Sequence, residues 1–524
     1  MWRGGPCFFL SPRPDVLCLP AILLYHFVSK KEAFSLMHLE FLHQSTAERR
    51  DLILNASVTR TVLFLAAPTL MLGLVQSMMP LMDGLFINNV AGTIVASSVT
   101  YSEPIVNMMT ALAQGLSVAA MAIIGQMNGK GNLAESRRTA VQIVVAGSIL
   151  GCVSAPLLLV AGGVISRSID HRIAHDVFLY LSLYSLVLPF SFLESIYNGI
   201  KNANGKPEAP FIRMVLMLVF KVIFNLVFIC ALRMGIVGCV LSSLLANVLI
   251  TVWMFHELFI KKGADRLELK GFRFDSSIVT QLGRIGFPAM ITSFLLNLGF
   301  FLINTESQKY GPVVLNGQGI AGNITAVCFN LPGAFGAAVT TMVSMNVGAG
   351  NSAKARLSCI AGCVISAITA VTVIAVIVPL SSHLTLLFTR QADVLAIADR
   401  ALHIYTYSVV GFGVCMTIQG AFIGLGRTKV PLLLGVLRIW FLRYIFILAT
   451  ERSLGFYSIF WGNLFSNYAA AVLSILLISR VKWVSVINFR PAMESGPPRE
   501  AMPAGQGPVM EAAYATAADG QSSD

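Results

Sequence analysis

Apolar residues along this chain fall in long runs, and polar residues gather between them. The runs lie near 62–88, 94–126, 139–166, 176–200, 209–232 and 235–260, then near 282–306, 313–347, 357–380, 395–424, 430–450 and 454–479. Each is roughly 20 residues or longer, enough for a helix to cross the hydrocarbon core of a bilayer. In lipid every backbone polar group must be satisfied within the fold, which favours helices. The pattern therefore predicts an all-α polytopic membrane protein, with twelve transmembrane helices in two pseudo-symmetric six-helix bundles. It also suggests a domain plan. Residues 1–60 form an N-terminal extension, 61–262 an N-lobe, 263–281 a polar linker, 282–482 a C-lobe and 483–524 a disordered tail. The tail turns to Pro, Gly, Ala, Ser and acidic residues after Trp483, a composition that buries too little apolar surface to order itself.

The ends of the chain carry less information. Met1 to Phe27 is apolar but is broken by Pro6, Pro12, Pro14 and Pro20, which makes it a poor spanning helix. A signal-like segment is one reading, although no small-residue cleavage site stands out. An accessory extension, with the working protein starting near Met37, is the reading adopted here. The stretch 45–61 is polar and basic, with Arg49, Arg50 and Arg60, and is expected to be a cytoplasmic lead-in.

Composition agrees with the pattern. Of 524 residues, 56% are hydrophobic and 12% charged, against about a quarter charged in soluble domains. The net charge of +12 lies in short loops without interleaved aromatics, so no nucleic-acid partner is expected; the bilayer itself is the partner. The nine cysteines are scattered through apolar runs with no paired spacing, and read as small core residues. Lys130, Arg137 and Arg138, then Lys201 and Lys206, the 261–273 cluster, Lys354 and Arg356, and Arg427 and Lys429 fall in alternate loops. Arg167, Arg172, Arg390, Arg400 and Arg452 blur the contrast. By the positive-inside rule both termini are expected in the cytoplasm, with the protein spanning the plasma (inner) membrane.

The two halves repeat at an offset near 220 residues. Pro68 pairs with Pro288, both read as standing at the start of their helices. Gly129-Lys-Gly131-Asn132 pairs with Gly348-Ala-Gly350-Asn351. Gly199, Gly205, Lys206 and Pro210 pair with Gly420, Gly426, Arg427 and Pro431. Six spans per half put both halves in the same orientation, an arrangement that suits a cleft between two rocking bundles. The glycine turns lack the strand context of a dinucleotide loop and the Gly-Lys-Ser/Thr of a P-loop. No catalytic triad, paired catalytic carboxylates or metal cluster appears, and the protein is not expected to be an enzyme or to carry a cofactor.

Asp83 draws the first functional inference. A charged side chain at the bilayer centre costs at least about 2.5–3.5 kcal/mol, so an Asp in an apolar run points to ion coupling; the alternative is that it ends its helix at the interface. Pro80, three residues earlier, cannot donate to the Gln76 carbonyl, which frees that carbonyl and lets the helix kink. A carboxylate beside a freed carbonyl suits H⁺ or Na⁺, with Asp83 the metal ligand if the ion is Na⁺. Glu103 in the second run and Glu194 in the fourth are candidates to share the coupling, Glu103 with an alternative place at the outer mouth. Gln76, Asn107, Asn198, Lys221 and Asn225 are candidate cavity residues. Lys221 is expected to pair with Glu194 or Asp83, or else to snorkel. Arg438 and Arg443 in the eleventh run either meet anionic substrate groups or snorkel.

The motif from Pro68 to Asp83 with Gln76 between, the paired Gly-x-Gly-Asn turns, and Tyr197-Asn198-Gly199 through Lys206-Pro207 resemble the MATE multidrug and toxic-compound extrusion family over about 60–482. The resemblance implies two six-helix lobes and cation-driven export of small organic compounds, often amphipathic or cationic, by a monomer. Asp83 matches the family's first-helix coupling Asp and Asn225 its fifth-helix Asn in DinF-like members. Ile229 stands where an Asp is usual, and Leu296 and Asn297 stand where NorM-like members carry a Glu, so the chain looks closer to the DinF-like members. A lipid-linked oligosaccharide flippase or natural-product exporter of related architecture is the alternative; it implies a cavity rich in Arg and Lys.

Overall fold

A computed structural model describes residues 44–86, 93–167 and 171–485, except 262, 264, 270, 271, 387, 389 and 390. The questions about residues 1–36 and the tail lie outside the described residues. The described chain is helical throughout. A short α1 (Thr46–Asn55) precedes the first half, which comprises α2 (Val58–Phe86), α3 (Thr93–Lys130), α4 (Leu133–Ser166), α5 (His171–Tyr184), α6 (Leu188–Ala203), α7 (Glu208–Ala231) and α8 (Gly235–Ile260). The second half comprises α9 (Ser276–Gln308), α10 (Pro312–Gly348), α11 (Ser352–Leu386), α12 (Ala392–Tyr407), α13 (Val409–Gly424), α14 (Lys429–Leu454) and α15 (Tyr457–Ser479).

Ten of these helices are long and apolar enough to span, and the count is twelve when α5 with α6, and α12 with α13, each form one bent span. The two continuous runs expected near 176–200 and 395–424 are thus broken, by 52° and 43°. The first break precedes Pro189, in the opening turn of α6; Pro189 has no N–H to donate to the Ser185 carbonyl and so cannot continue the hydrogen bonding of α5. At the second, the Ser408 hydroxyl bonds the Tyr405 carbonyl and accepts from Asn467. Pro68 and Pro288 do not begin their helices: α2 and α9 start ten and twelve residues earlier. The linker ends sooner than expected, because Asp275 caps α9 by accepting from the Ser277 amide at 2.8 Å.

The repeat has a direct physical reading. At the ends of α3, α6, α10 and α13 the chain turns through Gly131, Gly205, Gly350 and Gly426, with φ of +86°, +73°, +79° and +79°. Each turn closes with a six-residue backbone bond, such as Asn132 to the Met127 carbonyl and Asn351 to the Asn346 carbonyl. Glycine is favoured there because a Cβ penalises left-handed backbone. The first glycine of each Gly-x-Gly serves contact instead. A Cβ on Gly129 would overlap the Met345 carbonyl oxygen, and one on Gly348 the Gln126 carbonyl oxygen. These two contacts are related by the repeat, since 129 to 348 and 126 to 345 are both offsets of 219.

Packing between the halves follows the same symmetry. The first span of each half lies on the second span of the other, α9 on α3 and α2 on α10, and α3 meets α10 directly. The third spans lie at the periphery. Ile149, Val153, Leu157, Val160 and Val164 on α4, and Leu357, Ile360, Val364, Ile368 and Val371 on α11, are exposed at helical spacing, as lipid-facing stripes should be.

Candidate functional site

Both second spans change character partway along. On α3, Glu103, Asn107 and Gln114 are exposed and Thr110 is half-buried between them; their spacing puts them on one helix face. From Gly115 to Gly129 the helix is mostly buried. On α10, Gly319, Gly322, Asn323, Ala326 and Asn330 form the matching exposed stripe, and most residues from Pro332 to Val347 are buried. The buried lengths span about 20 Å at 1.5 Å per residue. They form a dry seam that ends in the reciprocal glycine contacts. Gln126 strengthens it by donating to the Gly424 carbonyl at 2.7 Å, and its own oxygen accepts from Ser485.

α1 docks against this closed end. The expected lead-in is therefore an ordered helix, opened by a Ser45–Glu48 capping box. Arg49 is fully buried and bonds Glu208 at 2.6 Å. Arg50 reaches the Gly129 carbonyl, and Lys354 at the start of α11 bonds the carbonyls of Leu54 and Ala56, so α1 ties the two halves together. Lys206 pairs with Asp265, which also accepts from the Thr46 amide. Burial acts to raise the Asp265 carboxyl, but the Lys206 ammonium and the Thr46 donors outweigh it and hold the group below the usual carboxylate value. Residues 45 and 485 both lie at this face.

Among the sequence-derived candidates, Asp83 is in the last turn of α2 and its side chain lies outside the described residues, as does that of Pro80. α2 runs as one helix through Pro68 and Pro80, and α9 through Pro288. Gln76 is exposed. Glu103 and Asn107 belong to the α3 stripe. Glu194 does not take Lys221 as its close partner. It forms a 2.6 Å ion pair with Arg213 of α7, which also donates to Asn198 at 3.0 Å. Lys221 acts on Glu194 only at longer range, and its expected pairing with Asp83 lies outside the described residues. Asn225 is buried and accepts from Ser242, just where α7 widens to i→i+5 hydrogen bonding. Glu306, near the end of α9, is buried, accepts from the Tyr444 hydroxyl at 3.1 Å and pairs with Lys309. Among the described residues no cluster of His, Cys, Asp or Glu is placed to hold a metal.

Sequence reasoning missed Arg213 and left Arg438 and Arg443 open. The last two line a cavity of about 730 Å³ in the second half, together with Phe300, Phe329, Tyr405, Phe412 and Asn467. α14 widens to i→i+5 bonding over Leu437–Ile445. In an α-helix, residues five apart point about 140° apart; the wider spiral turns both arginines inward.

A duplicated set of six spans, joined by a buried seam beyond which both second spans bear exposed polar residues, defines a polytopic membrane protein of the kind that moves solutes between two faces. The MatE family model matches residues 68–227 and 288–448, one block in each half, and the chain belongs to the MatE family. It is 21% identical over 399 residues to the probable multidrug resistance protein YoeA of Bacillus subtilis, covering 73% of this chain and 85% of that one. It is 20% identical over 431 residues to the multidrug export protein MepA of Staphylococcus saprophyticus, covering 81% and 94%. Its fold is similar to that of a multidrug resistance MATE family transporter of the MOP superfamily solved in an outward-facing conformation. The TM-score is 0.77 at 21% identity, over 81% of this chain and 96% of that one.

Proposed function

We propose that this protein is a secondary active exporter of small amphipathic organic compounds, driven by H⁺ or Na⁺ and working by alternating access of its two halves. One observation carries the reading. α3 and α10 are sealed together at one end by reciprocal glycine contacts and bear exposed polar stripes at the other. A seam that is dry and symmetric has two discrete arrangements, closed or parted, as alternating access requires. In this reading the sealed face is cytoplasmic, both termini lie there, and the protein works in the plasma (inner) membrane as a monomer.

Coupling requires a group whose cation affinity differs between the two arrangements. Asp83 is assigned that role, with Glu103 on the exposed polar stripe of α3 as a second candidate. Glu194 is the weaker participant, because a cation there must first displace Arg213. The test is dye efflux in everted vesicles under imposed H⁺ or Na⁺ gradients, wild type against Asp83→Asn. Gradient-driven transport should fall at least about tenfold, the equivalent of about 1.4 kcal/mol. Equal transport by both proteins would remove Asp83 from the coupling role. A second reading, movement of a lipid-linked anionic compound, is favoured by the arginines in the second-half cavity.

A further inference from the structure

We propose that the second-half cavity is a binding site for an organic anion, held between Arg438 and Arg443 with its apolar body against the aromatic wall. This rests on the transport reading above and narrows its substrate class away from cations.

Among the described residues four arginines are buried, and they are treated in two ways. Arg49 and Arg213 each meet a carboxylate at 2.6 Å. Arg438 and Arg443 are 5% and 7% exposed, yet among the described residues neither has a carboxylate partner. Arg438 has one long contact to Asn467 at 3.5 Å and lies over the Phe412 ring. Arg443 lies over the Phe300 ring, and its polar neighbour there is the neutral Tyr405 hydroxyl, not a carboxylate. The Nε atoms of both arginines are buried without a partner.

A structural role explains this poorly. Neither side chain can snorkel while its guanidinium is enclosed. A buried charge without a counter-charge costs several kcal/mol, and two on one helix repel. The cavity is about 730 Å³, within the range of ligand sites. Among the described residues lining it there is no Asp or Glu. Carboxylates, sulfonates and phosphate esters accept the paired, parallel bonds that a guanidinium fork presents. Phe300, Phe329 and Phe412 give an aromatic or other flat apolar body a surface to stack on. The chemistry is shared by a free organic anion and by the phosphate of a lipid-borne compound.

The test uses the full chain in dodecylmaltoside micelles, with fluorescence anisotropy of two dyes on the same xanthene scaffold, anionic fluorescein and cationic rhodamine 6G. Fluorescein should bind at least about tenfold more tightly. Arg438→Gln and Arg443→Gln should each weaken fluorescein at least about tenfold, the scale of one charge-assisted hydrogen bond, and leave rhodamine 6G unchanged or improved. Gel filtration and thermal midpoints check folding. If a Gln variant misfolds, Arg438→Lys and Arg443→Lys keep the charge but lose the fork, and each should still weaken fluorescein. Rhodamine 6G bound as tightly as fluorescein, or fluorescein binding indifferent to both positions, overturns the proposal. Displacement of fluorescein by dihexanoyl phosphatidic acid assigns the site to lipid-borne phosphate. Failure of that displacement, with fluorescein still bound through the arginines, assigns it to free organic anions. Because binding needs no gradient, the two readings fail separately. Arginine-dependent binding without gradient-driven efflux overturns the exporter and keeps the site. Gradient-driven efflux by a protein whose fluorescein binding is indifferent to Arg438 and Arg443 does the reverse.

Discussion

Glu194 and Arg213 are both nearly enclosed, at 12% and 5% side-chain exposure, so each is tolerable only while the other is charged beside it. Glu194→Gln should destabilise the protein by about 3–5 kcal/mol, because it leaves Arg213 buried without a counter-charge. Replacing both, as Glu194→Gln with Arg213→Met, should recover much of the loss; thermal unfolding of the two variants in detergent compares them. Asp265 makes a pH-dependent contribution. Its folded carboxyl lies below the unfolded value of about 3.9, so the stabilisation is complete above about pH 4 and drains away as pH falls through the folded value. Hydrogen exchange of α1, measured across that acid window, should accelerate as pH falls in the wild type and lose this dependence in Asp265→Asn. Neither pair was readable beforehand. Arg213 stands nineteen positions from Glu194 and Asp265 fifty-nine from Lys206, and a local pattern says nothing about partners that only folding brings together. Lys221, nearer the middle of its apolar run, was the more conspicuous cation and drew the pairing to itself.

The spans themselves were legible, because lipid selects length and apolarity directly and both are written in consecutive residues. The breaks at 185–187 and at Ser408 were not, since the apolar run continues across each and the bend comes from Pro189 in one case and a serine hydroxyl in the other. α1 was hidden for a different reason: it has little apolar face of its own and is ordered by what it docks against. The glycines of the repeat were visible as a pattern but not as two separate jobs, one for turning and one for contact. Gly129→Leu tests the second job. The added side chain has no room against the Met345 carbonyl, and overpacking of this kind costs about 1–3 kcal/mol, charged to the closed seam alone. A cysteine placed at Ser344, fully buried in the seam, should therefore label with maleimide several-fold faster when Gly129→Leu is added. The cysteine needs a background without the native ones. Unchanged labelling would mean that the seam does not depend on this contact.

For the molecule as a whole, the duplication and the parallel orientation of its halves followed from the 220-residue offset and an even number of spans. The crossed packing, α9 on α3 and α2 on α10, did not, because hydropathy does not specify which helices meet. That crossed packing also means that the surfaces holding the halves together are distributed over both. The described residues among 263–275, between α8 and α9, carry no helix, so a cut in this stretch lies between the two spans. Residues 1–270 and 271–524, expressed as separate chains, should assemble in the membrane and copurify through a tag on one of them. Recovery of the tagged piece alone would show that the covalent link is needed for assembly. The Gly129–Met345 and Gly348–Gln126 contacts give the reason to expect success. Each half offers the same patch and receives the same patch, the arrangement found where two identical subunits pair about a twofold axis. A half-length ancestor bearing one such glycine would already have been able to dimerise with itself, and in that light the linker joins partners that needed no introduction.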